Sequence, residues 1–401
     1  MADAAALWRN WSGSIAFRPR RQAHPRDTAE VQSLVRETAK RGGTLRAVGA
    51  GHSSNDILRG QDTLLVTDHL TGVISADRAG CIAVVRPGTQ LQELGRALYQ
   101  DDLALPNYGD VATQTIGGAI GTGTHGSGVG QHNLSQLLTG ALLVDGRGDL
   151  QRIDADDIGR LRAAQVALGT LGVFVEMTLR LVPAFDVERR EFACSTHDAL
   201  THFEELARAN RSLDFYWYPR RDEVKLRVVN PVGGGTHALP WARLLSQQAG
   251  YGHEVIPTHS GIPYRFEECE YALPACVGMS CFRQVRARVL DRWRHVVGWR
   301  LLYRTVAADE ALISAAHGRD TVTISLHQNS TLPWSEYFAD IEPIFRAHDG
   351  RPHWAKKHSC RATELAPLYP RWHDFLAIRA ESDPQGVFLT PHLRELFGVA
   401  P

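Results

Sequence analysis

A glycine-rich stretch in the first third of the chain limits the possible folds more than any other feature of the sequence. Residues 116–130 read IGGAIGTGTHGSGVG, in which seven of fifteen residues are glycine and threonine and serine hydroxyls lie between them. Glycine is costly inside helices and strands because it loses the most backbone freedom on folding. A solvent loop would explain the glycines, but the segment carries little charge and includes apolar Ile116, Ile120 and Val129. We therefore expect a ligand or another stretch of backbone to lie against it.

A second glycine-containing segment follows a short apolar run. The sequence of residues 46–55 is RAVGAGHSSN, so a strand predicted at residues 45–48 leads into two glycines and a histidine. Glycine lets backbone N–H groups turn inward and approach a diphosphate without a Cβ clash. The two segments together indicate a ligand that contains a nucleotide.

A dinucleotide-binding Rossmann motif is the main competing interpretation. Residues 121–126 match GxGxxG, and Asp145 lies about twenty residues further on, after an apolar strand. The context argues against it, because no Val- and Ile-rich strand precedes the glycines. Residues 127–130, SGVG, cannot start the firm helix whose N-terminus would bind a pyrophosphate. A P-loop is excluded because the chain has no GxxxxGK[ST] sequence.

Composition and charge exclude several classes of protein. The chain has 401 residues, 44 basic and 44 acidic, whereas a nucleic-acid binder usually has a basic excess. The 43% apolar and 22% charged content is that of a globular protein, and the length suits two domains or one large one. No run of about eighteen apolar residues is present, and residues 1–9 lack the pattern of a signal peptide. We therefore expect a cytoplasmic protein with neither a membrane nor a nucleic acid as partner.

Motifs for metals and for nucleophilic catalysis are absent from the sequence. The six cysteines form no CxxC pair, which at this length favours free thiols in a reducing compartment over disulfides or a zinc site. Residues 253–254, HE, are not followed by the HExxH spacing, and no GxSxG elbow occurs. His353 and His358 are five residues apart and do not share a helix face. We expect no metal ion.

Hydrophobic periodicity and turn residues predict the local elements. Helices are expected at residues 27–41, with an Asp27–Glu30 capping box, and at 89–99, with a Thr89–Gln92 box. Strands are expected at residues 45–48, 63–67, 82–86 and 174–181, and a hairpin at 141–153 with a type I′ turn at Asp145–Gly146. Residues 232–253 show little periodicity and are predicted to form a loop. The composition shifts near residue 185, where we place a domain boundary.

Several segments together resemble a known family. They are residues 10–13 (NWSG), 49–55 (GAGHSSN), 118–128 (GAIGTGTHGSG) and 351–358 (RPHWAKKH), with weaker matches at 167–173 (ALGTLGV), 270–274 (EYALP) and 318–320 (GRD). In order and spacing they resemble the vanillyl-alcohol-oxidase superfamily of flavoproteins, and within it the sugar-1,4-lactone oxidases and alditol oxidases. The resemblance covers nearly the whole chain, and the RPHWAK sequence makes it specific.

The resemblance implies an α+β fold in three parts. Residues 1–184 would form an FAD-binding domain of two α+β lobes. Residues 185–350 would form an α+β cap domain with a large antiparallel sheet that covers the flavin. Residues 351–401 would return to the FAD-binding domain. The boundary placed near residue 185 by composition agrees with this division.

The resemblance also implies FAD as cofactor, attached covalently through His52 to the 8α-methyl group of the flavin. A second link is not expected, because the cysteine that some relatives carry in the second glycine segment is missing here. His125 is expected to be a packed residue or a neighbour of the pyrophosphate. The residues predicted to bind FAD are Arg46, Gly49, Ala50, Gly51, His52, Ser53, Ser54, Asn107, Gly109, Asp110, Thr115, Gly117, Gly118, Gly121, Thr122, Gly123, Thr124, His125, Gly126, Val173 and Val175.

Alcohol oxidation by a flavin needs a group that shares the hydroxyl proton and positive charge near the ring. By resemblance, Arg304 binds substrate and supplies charge, and Lys356 stabilises an oxyanion or the reduced ring. His327 or Ser325 would orient the reacting hydroxyl, with His327 as the candidate base. Without the resemblance, these side chains would be interpreted as an ion-paired arginine, a surface lysine and packed core residues. Leu302 replaces the glutamate that relatives carry two residues before the arginine, which favours a less polar or differently hydroxylated alcohol.

Gly109 matches the position that controls oxygen access in this branch, since glycine leaves room for O2 near flavin C4a. On this resemblance we expect an FAD-dependent oxidase that transfers hydride from an alcohol carbon of a sugar lactone or polyol to flavin N5 and reduces O2 to H2O2. The alternatives are a dehydrogenase of the same branch and, from another class, a non-catalytic nucleotide-binding or carrier protein. The expected partners are a small-molecule alcohol and O2, and the oligomeric state is open.

Overall fold

The structure is a computed structural model that describes residues 6–257 and 264–400. Residues 1–5 lie outside the described residues. They belong to the stretch 1–9 in which no signal-peptide pattern was expected. Within the described part, no helix is long and apolar enough to cross a membrane.

The N-terminal part of the chain folds into two α+β lobes. Its strands are β1 (Trp8–Arg9), β2 (Ala16–Phe17), β3 (Arg21–Ala23), β4 (Leu45–Val48), β5 (Thr63–Val66), β6 (Val73–Asp77), β7 (Ile82–Val85), β8 (Leu103–Ala104), β9 (Leu138–Val144), β10 (Leu150–Ile153), β11 (Val173–Arg180) and β12 (Val182–Pro183). Its helices are α1 (Thr28–Lys40), α2 (Leu91–Gln100), α3 (Ile116–Gly121) and α4 (Ile158–Gln165). One lobe contains the three-stranded parallel sheet β3-β5-β4, and the other the five-stranded antiparallel sheet β10-β9-β11-β7-β6. The predicted two-lobed α+β fold is confirmed, and a doubly wound Rossmann sheet is excluded.

The capping box predicted at α1 forms only in part, and the one predicted at α2 does not form. At α1, the Asp27 carboxylate accepts a hydrogen bond from the N–H of Glu30 at 2.9 Å, but the Glu30 carboxylate accepts from Arg26 and not from Asp27. At α2, the cap is Gln90 and makes no side-chain hydrogen bond. The Thr89 hydroxyl donates to the carbonyl of Arg86 at 2.7 Å. It therefore closes the turn before the helix and does not cap it.

The start of the glycine-rich segment is helical, contrary to the expectation that it is too bare for a helix. Residues 116–121 form α3, whose N-terminus is capped by the Thr115 hydroxyl, which accepts from the N–H of Gly118 at 3.4 Å. Ile116, Ala119 and Ile120 are fully buried in the main core. Their spacing of three and four residues gives the short helix one apolar face, so tertiary burial outweighs the poor helix propensity of glycine.

The predicted hairpin forms as β9 and β10, but its turn differs from the prediction. Val144 pairs with Leu150, so the connection spans residues 145–149 and cannot be a two-residue type I′ turn. The Asp145 carboxylate instead accepts hydrogen bonds from the N–H groups of Arg147 and Asp149, both at 2.9 Å. The aspartate therefore organises a longer loop through its side chain.

The second half of the chain is built on one large sheet. Its strands are β13 (Asp186–Ser195), β14 (Ser212–Tyr218), β15 (Glu223–Pro231), β16 (Arg243–Tyr251), β17 (Phe266–Pro274), β18 (Leu301–Val306), β19 (Thr321–Asn329) and β20 (Arg351–Pro352). Its helices are α5 (Thr196–Ala209), α6 (Gly252–Val255), α7 (Ala275–Arg288) and α8 (Ser335–Arg346). The eight strands are antiparallel in the order β16-β13-β15-β14-β18-β19-β17-β20, which confirms the predicted large antiparallel sheet. The loop predicted at 232–253 is wrong for its second half, because β16 is an edge strand whose exposed side chains lack an apolar period.

The two faces of the eight-stranded sheet have different partners. On one face, helices α5 and α7 pack against the sheet. The ring of Phe215 in β14 lies 5.5 Å from that of Phe203 in α5 and 5.1 Å from that of Phe282 in α7, measured between centroids. The other face meets the N-terminal lobes, since the N–H of Gly128 donates to the carbonyl of Thr305 at 3.0 Å. Because side chains alternate along strands, polar residues on this second face point toward the lobes.

The C-terminal segment returns to the N-terminal lobes. It contains α9 (Ala362–Leu365), α10 (Trp372–Ser382) and α11 (Pro391–Phe397). Val387 and Phe388 lie in the same apolar cluster as Val31 and Leu34 of α1. The Asn55 amide donates to the carbonyl oxygens of Trp354 at 2.7 Å and of Lys356 at 2.9 Å, which places the RPHWAK segment beside the loop after β4. The limits proposed for the three parts of the chain remain a prediction.

Candidate active site

A groove lies where β4, α3 and the start of β11 meet. Its volume is about 540 Å³. Its lining is mostly backbone and small side chains, which suits a ligand that approaches the main chain closely. The lining residues are Arg46, Ala47, Val48, Gly49, Thr67, Pro87, Thr115, Gly117, Gly118, Gly121, Thr122, Leu168, Gly169, Gly172, Val173 and Phe174.

Two glycines of the groove are needed for different reasons. A Cβ on Gly49 would lie 1.9 Å from Oγ1 of Thr115, so the close approach of β4 and α3 excludes any side chain. A Cβ on Gly121 would meet no atom within 4 Å, although Gly121 is buried and borders the groove. The space beside Gly121 is therefore a cradle that a larger side chain would fill.

The loop after β4 presents a row of backbone donors. Among the described residues, no group accepts a hydrogen bond from the N–H groups of residues 49–53. Gly51 has φ +68°, a left-handed conformation that glycine adopts freely. The loop is fixed by bonds from the N–H of Trp11 to the Gly51 carbonyl (2.8 Å) and from the N–H of Ser54 to the Ala355 carbonyl (2.7 Å). Consecutive N–H groups of this kind bind phosphate oxygens.

Arg46 supplies a buried cation to the groove. Its side chain donates from Nη1 to the carbonyl of Leu168, and its Nε has no hydrogen-bond partner among the described residues. Burial lowers the pKa of Arg46 to about 10, so the guanidinium remains charged at neutral pH. A buried cation with an unused donor fits an anionic, hydrogen-bonding ligand such as the nucleotide part of FAD.

A more polar cleft of about 750 Å³ lies between the N-terminal lobes and the eight-stranded sheet. The lobes, the sheet and the RPHWAK segment all contribute to it. Its lining residues are Trp11, His52, Ser54, Gly109, Asp110, Val111, Gln114, Thr124, His125, Phe266, Glu268, Glu270, Leu302, Arg304, His327, His353, Ala355 and Lys356.

The register of the sheet explains why the polar side chains meet in this cleft. Adjacent strands pair Glu268 with His327 and Arg304 with Thr323. Because successive side chains point to opposite faces, residues two apart, such as Glu268 and Glu270, share one face. Strands β17, β18 and β19 therefore bring their charged residues together on the face that borders the cleft.

Arg304 is held by a buried carboxylate. Its Nη2 lies 3.0 Å from both carboxylate oxygens of Glu270, and its Nη1 donates to the carbonyl of His125 at 3.1 Å. The His125 ring approaches the same carboxylate, with Nε2 2.7 Å from Oε1. Burial alone would raise the pKa of Glu270, but the charge of Arg304 and the contact with His125 outweigh it and hold the pKa well below its usual value. The guanidinium is thus fixed in position beside an ionised glutamate.

Glu268 bridges two of the predicted catalytic residues. Its Oε1 lies 2.6 Å from Nε2 of His327, and its Oε2 forms an ion pair with Nζ of Lys356. Burial, followed by the charge of Arg300, lowers the pKa of His327 to about 3. Burial lowers the pKa of Lys356 to about 8. At neutral pH the histidine is therefore neutral and the lysine is mostly charged.

His52 borders the cleft and belongs to the loop after β4. Its Nε2 lies 2.9 Å from Oγ1 of Thr113, and its ring centroid lies 5.0 Å from that of Trp11. Burial, followed by the charge of Lys356, lowers the pKa of His52 to about 4. The imidazole is therefore neutral at physiological pH, which is the state in which it acts as a nucleophile.

The loop that carries Gly109 is fastened to the sheet through its neighbour Asp110. The hydroxyl of Tyr216 donates to Asp110 at 2.6 Å, and Arg227 donates to it at 2.9 Å. Arg227 also pairs with Asp214 at 2.6 Å, so one buried arginine connects β15, β14 and the loop. This network fixes the backbone at Gly109 relative to the cleft.

The structure distributes most of the sequence-predicted residues over these two sites. Those at the cleft are His52, Ser54, Gly109, Asp110, Thr124, His125, Arg304, His327 and Lys356. Those at the groove are Arg46, Gly49, Thr115, Gly117, Gly118, Gly121, Thr122 and Val173. Gly123 borders an adjoining cavity of about 380 Å³, which it shares with Thr122 and His125.

The remaining predicted residues border none of these three cavities. Ala50, Gly51 and Ser53 belong to the loop with the free N–H groups. Gly126 packs against the carbonyl of Tyr108, from which a Cβ would lie 2.3 Å away, and Asn107 donates to the carbonyl of Ser127 at 3.3 Å. Val175 lies in an apolar core cluster, next to a register shift in β11, and Ser325 is fully buried in β19 with no partner for its hydroxyl among the described residues. Neither Val175 nor Ser325 lines one of these three cavities, although Ser325 is paired in register with Glu270 and Leu302, which line the cleft.

Sequence reasoning missed Glu268 and Glu270. A signal was present, because residues 266–270 read FEECE, and a strand would place the second and third glutamates on one face. Three glutamates in one buried strand require partners, since buried charges are rarely left unpaired. Their partners lie on other elements, which is why the sequence pattern alone did not identify them.

Comparisons with known proteins agree with this geometry. A family model for an FAD-binding domain matches residues 19–154, and a model for D-arabinono-1,4-lactone oxidase matches residues 242–396. The L-gulono-1,4-lactone dehydrogenase of Mycobacterium tuberculosis is 31% identical over 98% of this chain and 99% of its own length. The alditol oxidase of a Streptomyces species is 32% identical over 96% of this chain and 98% of its own length.

A solved structure shows the same fold. The cholesterol oxidase of B. sterolicum superposes with a TM-score of 0.85 over 98% of this chain and 96% of its own, at 15% identity. The matches exclude the non-catalytic carrier protein that the sequence left open, and the groove, its free N–H groups and the buried Arg46 fit FAD. The chain therefore belongs to the aldonolactone oxidase and alditol oxidase branch of the vanillyl-alcohol-oxidase superfamily, as an FAD-dependent oxidoreductase that acts on CH–OH groups.

Proposed function

We propose that this protein oxidises an alcohol group of a sugar lactone or polyol, with O2 as electron acceptor and H2O2 as product. The observation that carries the proposal is the cleft, where Arg304 and Lys356 lie among carboxylates and histidines next to the groove that fits FAD. A cleft of this polarity suits a substrate with several hydroxyl groups. The relatives described as a lactone dehydrogenase and an alditol oxidase support the same substrate class.

The residues of the chain divide the work of binding and catalysis. Bound FAD would supply a two-electron acceptor. Its N5 atom would take the hydride, and its electrons would then pass to O2. Arg304, held in place by Glu270, binds and orients the alcohol. Lys356 places a positive charge where negative charge develops as the hydroxyl proton leaves. The N–H groups of residues 49–53 hold the phosphates.

We propose that His52 forms the covalent link to the 8α-methyl group of the flavin. The neutral imidazole, its position at the edge of the cleft and its contact with Thr113 support this role. Acid-precipitated wild-type protein is expected to keep its flavin, and His52→Ala is expected to release it. Measurement of the flavin absorbance in the pellet and the supernatant checks this, and release from the wild type would contradict the link.

The cleft favours a sugar over a less polar alcohol in spite of Leu302. Leu302 borders the cleft and contributes an apolar patch where relatives carry a glutamate. Asp110, Glu268 and Glu270 line the same cleft, so carboxylates from the Gly109 loop and from β17 keep it polar. Arg304 lies in β18 two residues after Leu302, and it still has a carboxylate partner, Glu270 of β17.

A dehydrogenase with another electron acceptor is the second candidate, because a relative covering nearly the whole chain is described as a dehydrogenase. The oxidase is favoured by Gly109, which borders the cleft and has no side chain. A screen of aldonolactones, polyols and less polar alcohols under anaerobic conditions would show which of them bleach the bound flavin. Peroxide formed on admission of air identifies an oxidase. Bleaching that persists in air but is reversed by an artificial dye identifies a dehydrogenase.

A further inference from the structure

We propose that Glu268 takes the proton of the reacting hydroxyl group, and that His327 and Lys356 position it for this step. The inference rests on the proposed function of the cleft as an alcohol-oxidising site. It concerns a residue that the sequence pattern did not single out. It also gives His327 a role different from that of the candidate base.

Three carboxylates border the cleft, and two of them, Glu270 and Asp110, pair with buried arginines. Both oxygens of Glu270 lie 3.0 Å from the Arg304 guanidinium, and one of them also contacts His125. Glu270 is 1% exposed. Protonation of Glu270 would leave Arg304, whose side chain is 9% exposed, without its counter-ion, whereas Lys356, the cation paired with Glu268, is 22% exposed and can be solvated.

Asp110 is likewise committed to a structural network. Its two oxygens accept from the hydroxyl of Tyr216 at 2.6 Å and from Arg227 at 2.9 Å. Arg227 is 3% exposed and ties the Gly109 loop to the sheet. Protonation of Asp110 would weaken that connection, so Asp110 is better suited to holding the loop than to exchanging protons.

Glu268 has both access and spare capacity. It borders the cleft between His327 and Lys356 and is 8% exposed. One donor contacts each oxygen, the His327 ring at Oε1 and the Lys356 ammonium at Oε2. A carboxylate offers about four lone-pair sites, so each oxygen can accept one further hydrogen bond, such as that of a substrate hydroxyl.

The state of His327 fits a donor and not a base. Because the ring is neutral and Glu268 pairs with the Lys356 ammonium, the short contact between Nε2 and Oε1 places the ring hydrogen on Nε2, as a donor to the glutamate. The other nitrogen, Nδ1, is buried and has no hydrogen-bond partner among the described residues. The histidine therefore fixes the orientation of the glutamate, in the way that an ordered neighbour positions a catalytic group.

The proposed step balances in atoms and electrons. The O–H bond of the alcohol breaks, its proton bonds to a Glu268 oxygen, and the electron pair of that bond becomes the second bond of the new carbonyl. The C–H bond on the same carbon breaks, and the hydrogen leaves with both electrons as a hydride that FAD accepts. The Lys356 ammonium, paired with the same glutamate, stabilises the charge on the reacting oxygen until the proton has moved.

The decisive variant is Glu268→Gln, which keeps the size and the hydrogen-bonding groups but cannot accept the proton. In anaerobic stopped-flow experiments, we expect the rate constant of flavin reduction to fall by about a hundredfold or more. The dissociation constant for the substrate, obtained from the saturation of the same rates, should change less than about fivefold. A merely structural role would instead weaken binding, FAD retention or thermal stability.

Two further readouts identify the proton acceptor. The reduction rate of the wild type should fall at low pH as the carboxylate becomes protonated, and this acid limb should be lost in Glu268→Gln. The charged groups that border the cleft with Glu268 are Asp110, Glu270, Arg304 and Lys356, and they are unchanged in the variant. Formate added to Glu268→Ala should restore part of the reduction rate, because a small carboxylate can occupy the vacated space.

The control is Glu204→Gln on α5, a carboxylate that is 77% exposed and pairs with Arg208 on the surface. It is expected to reduce its flavin at a rate within about threefold of the wild type. If Glu268→Gln folds poorly, Glu268→Asp keeps the carboxylate and should retain the acid limb at a lower rate.

The outcomes separate the inference from the proposed function. Wild-type protein that no lactone or polyol reduces would refute the proposed function. Wild-type protein that is reduced while Glu268→Gln reacts equally fast, or while formate has no effect on Glu268→Ala, would overturn the role of Glu268 alone.

Discussion

At the scale of single residues, the cleft holds its cations in place through carboxylates of one strand of the sheet, β17. Arg304 and Lys356 each pair with a glutamate of β17, Arg304 with Glu270 and Lys356 with Glu268. Such pairing limits the conformations of two long side chains before substrate arrives, which reduces the entropy lost on binding. In the proposed reaction, the electrostatic contribution would therefore come from cations that are already held in place.

Arg304→Ala is expected to slow reduction of the flavin by about a hundredfold, on the scale of one lost donor to a developing charge. The change also leaves the buried Glu270 without its cation. Arg304→Lys serves as the matched control, since it keeps the charge but loses the two-pronged contact, and it should lie between the wild type and the alanine variant. Stopped-flow reduction under anaerobic conditions measures the effect, and an unchanged rate constant would remove Arg304 from the reaction.

The pH dependence of reduction follows from Lys356. Burial lowers the pKa of this lysine to about 8, so the ammonium is present below that pH and is lost as the pH rises through it. If the charge is needed, the reduction rate should decline on the alkaline side with an apparent pKa near 8. Lys356→Arg, which stays charged to higher pH, should move this decline upward. A flat profile between pH 6 and about 10 in the wild type would count against the role of the lysine.

At the scale of elements, the sequence pattern predicts local structure well and long-range pairing poorly. The strands at residues 45–48 and 82–85 and the helix α1 form where apolar spacing places them. Helix α3 was not expected, because its stability comes from burial of Ile116 and Ile120 against other elements and not from its glycines. Whether such a helix forms depends on tertiary contacts, which the local sequence pattern does not predict.

The candidate site shows the same division. The glycine-rich loops were identified from the sequence because many glycines with little charge favour a bound ligand over a solvent loop. Arg304 and Lys356 were identified because of family resemblance. Glu268 and Glu270 were missed because their roles arise only from the register of β17 with β19 and from β20, which are far apart in the chain. When the topology of a sheet determines which residues meet, no fixed spacing in the sequence identifies the pair.

The loop between β8 and α3 provides a prediction on oxygen. A Cβ added at Gly109 would lie 3.1 Å from Cγ2 of Thr124, close but tolerable after a small shift. Gly109→Ala should therefore lower the rate of reoxidation by O2 and leave reduction by substrate nearly unchanged. Gly130→Ala is the control, because a Cβ there meets no atom within 4 Å. Stopped-flow mixing of reduced protein with oxygenated buffer measures the rate of reoxidation. Equal reoxidation rates in the two variants would contradict control of oxygen access by Gly109.

At the scale of the whole molecule, the lobes that fit FAD and the sheet that carries the proposed catalytic residues are joined across the cleft by buried charges. Arg227 of β15 pairs with Asp214 of β14 and reaches Asp110 in the lobe, at 2.6 and 2.9 Å. The cleft exists only while the two halves stay in register, since its lining comes from both. Stability and activity should therefore be coupled through this one arginine.

Arg227→Ala is expected to destabilise the FAD-loaded protein by about 3–5 kcal/mol, because it leaves two buried or half-buried carboxylates without their cation. Urea unfolding followed by circular dichroism and by flavin fluorescence measures the loss. The control is Arg208→Ala, which removes an ion pair with Glu204 whose two side chains are 71% and 77% exposed and should cost less than about 1 kcal/mol. Equal midpoints for the two variants would show that the arginine does not join the halves. A loss seen only in flavin fluorescence would place the weakness at the cofactor and not between the lobes and the sheet.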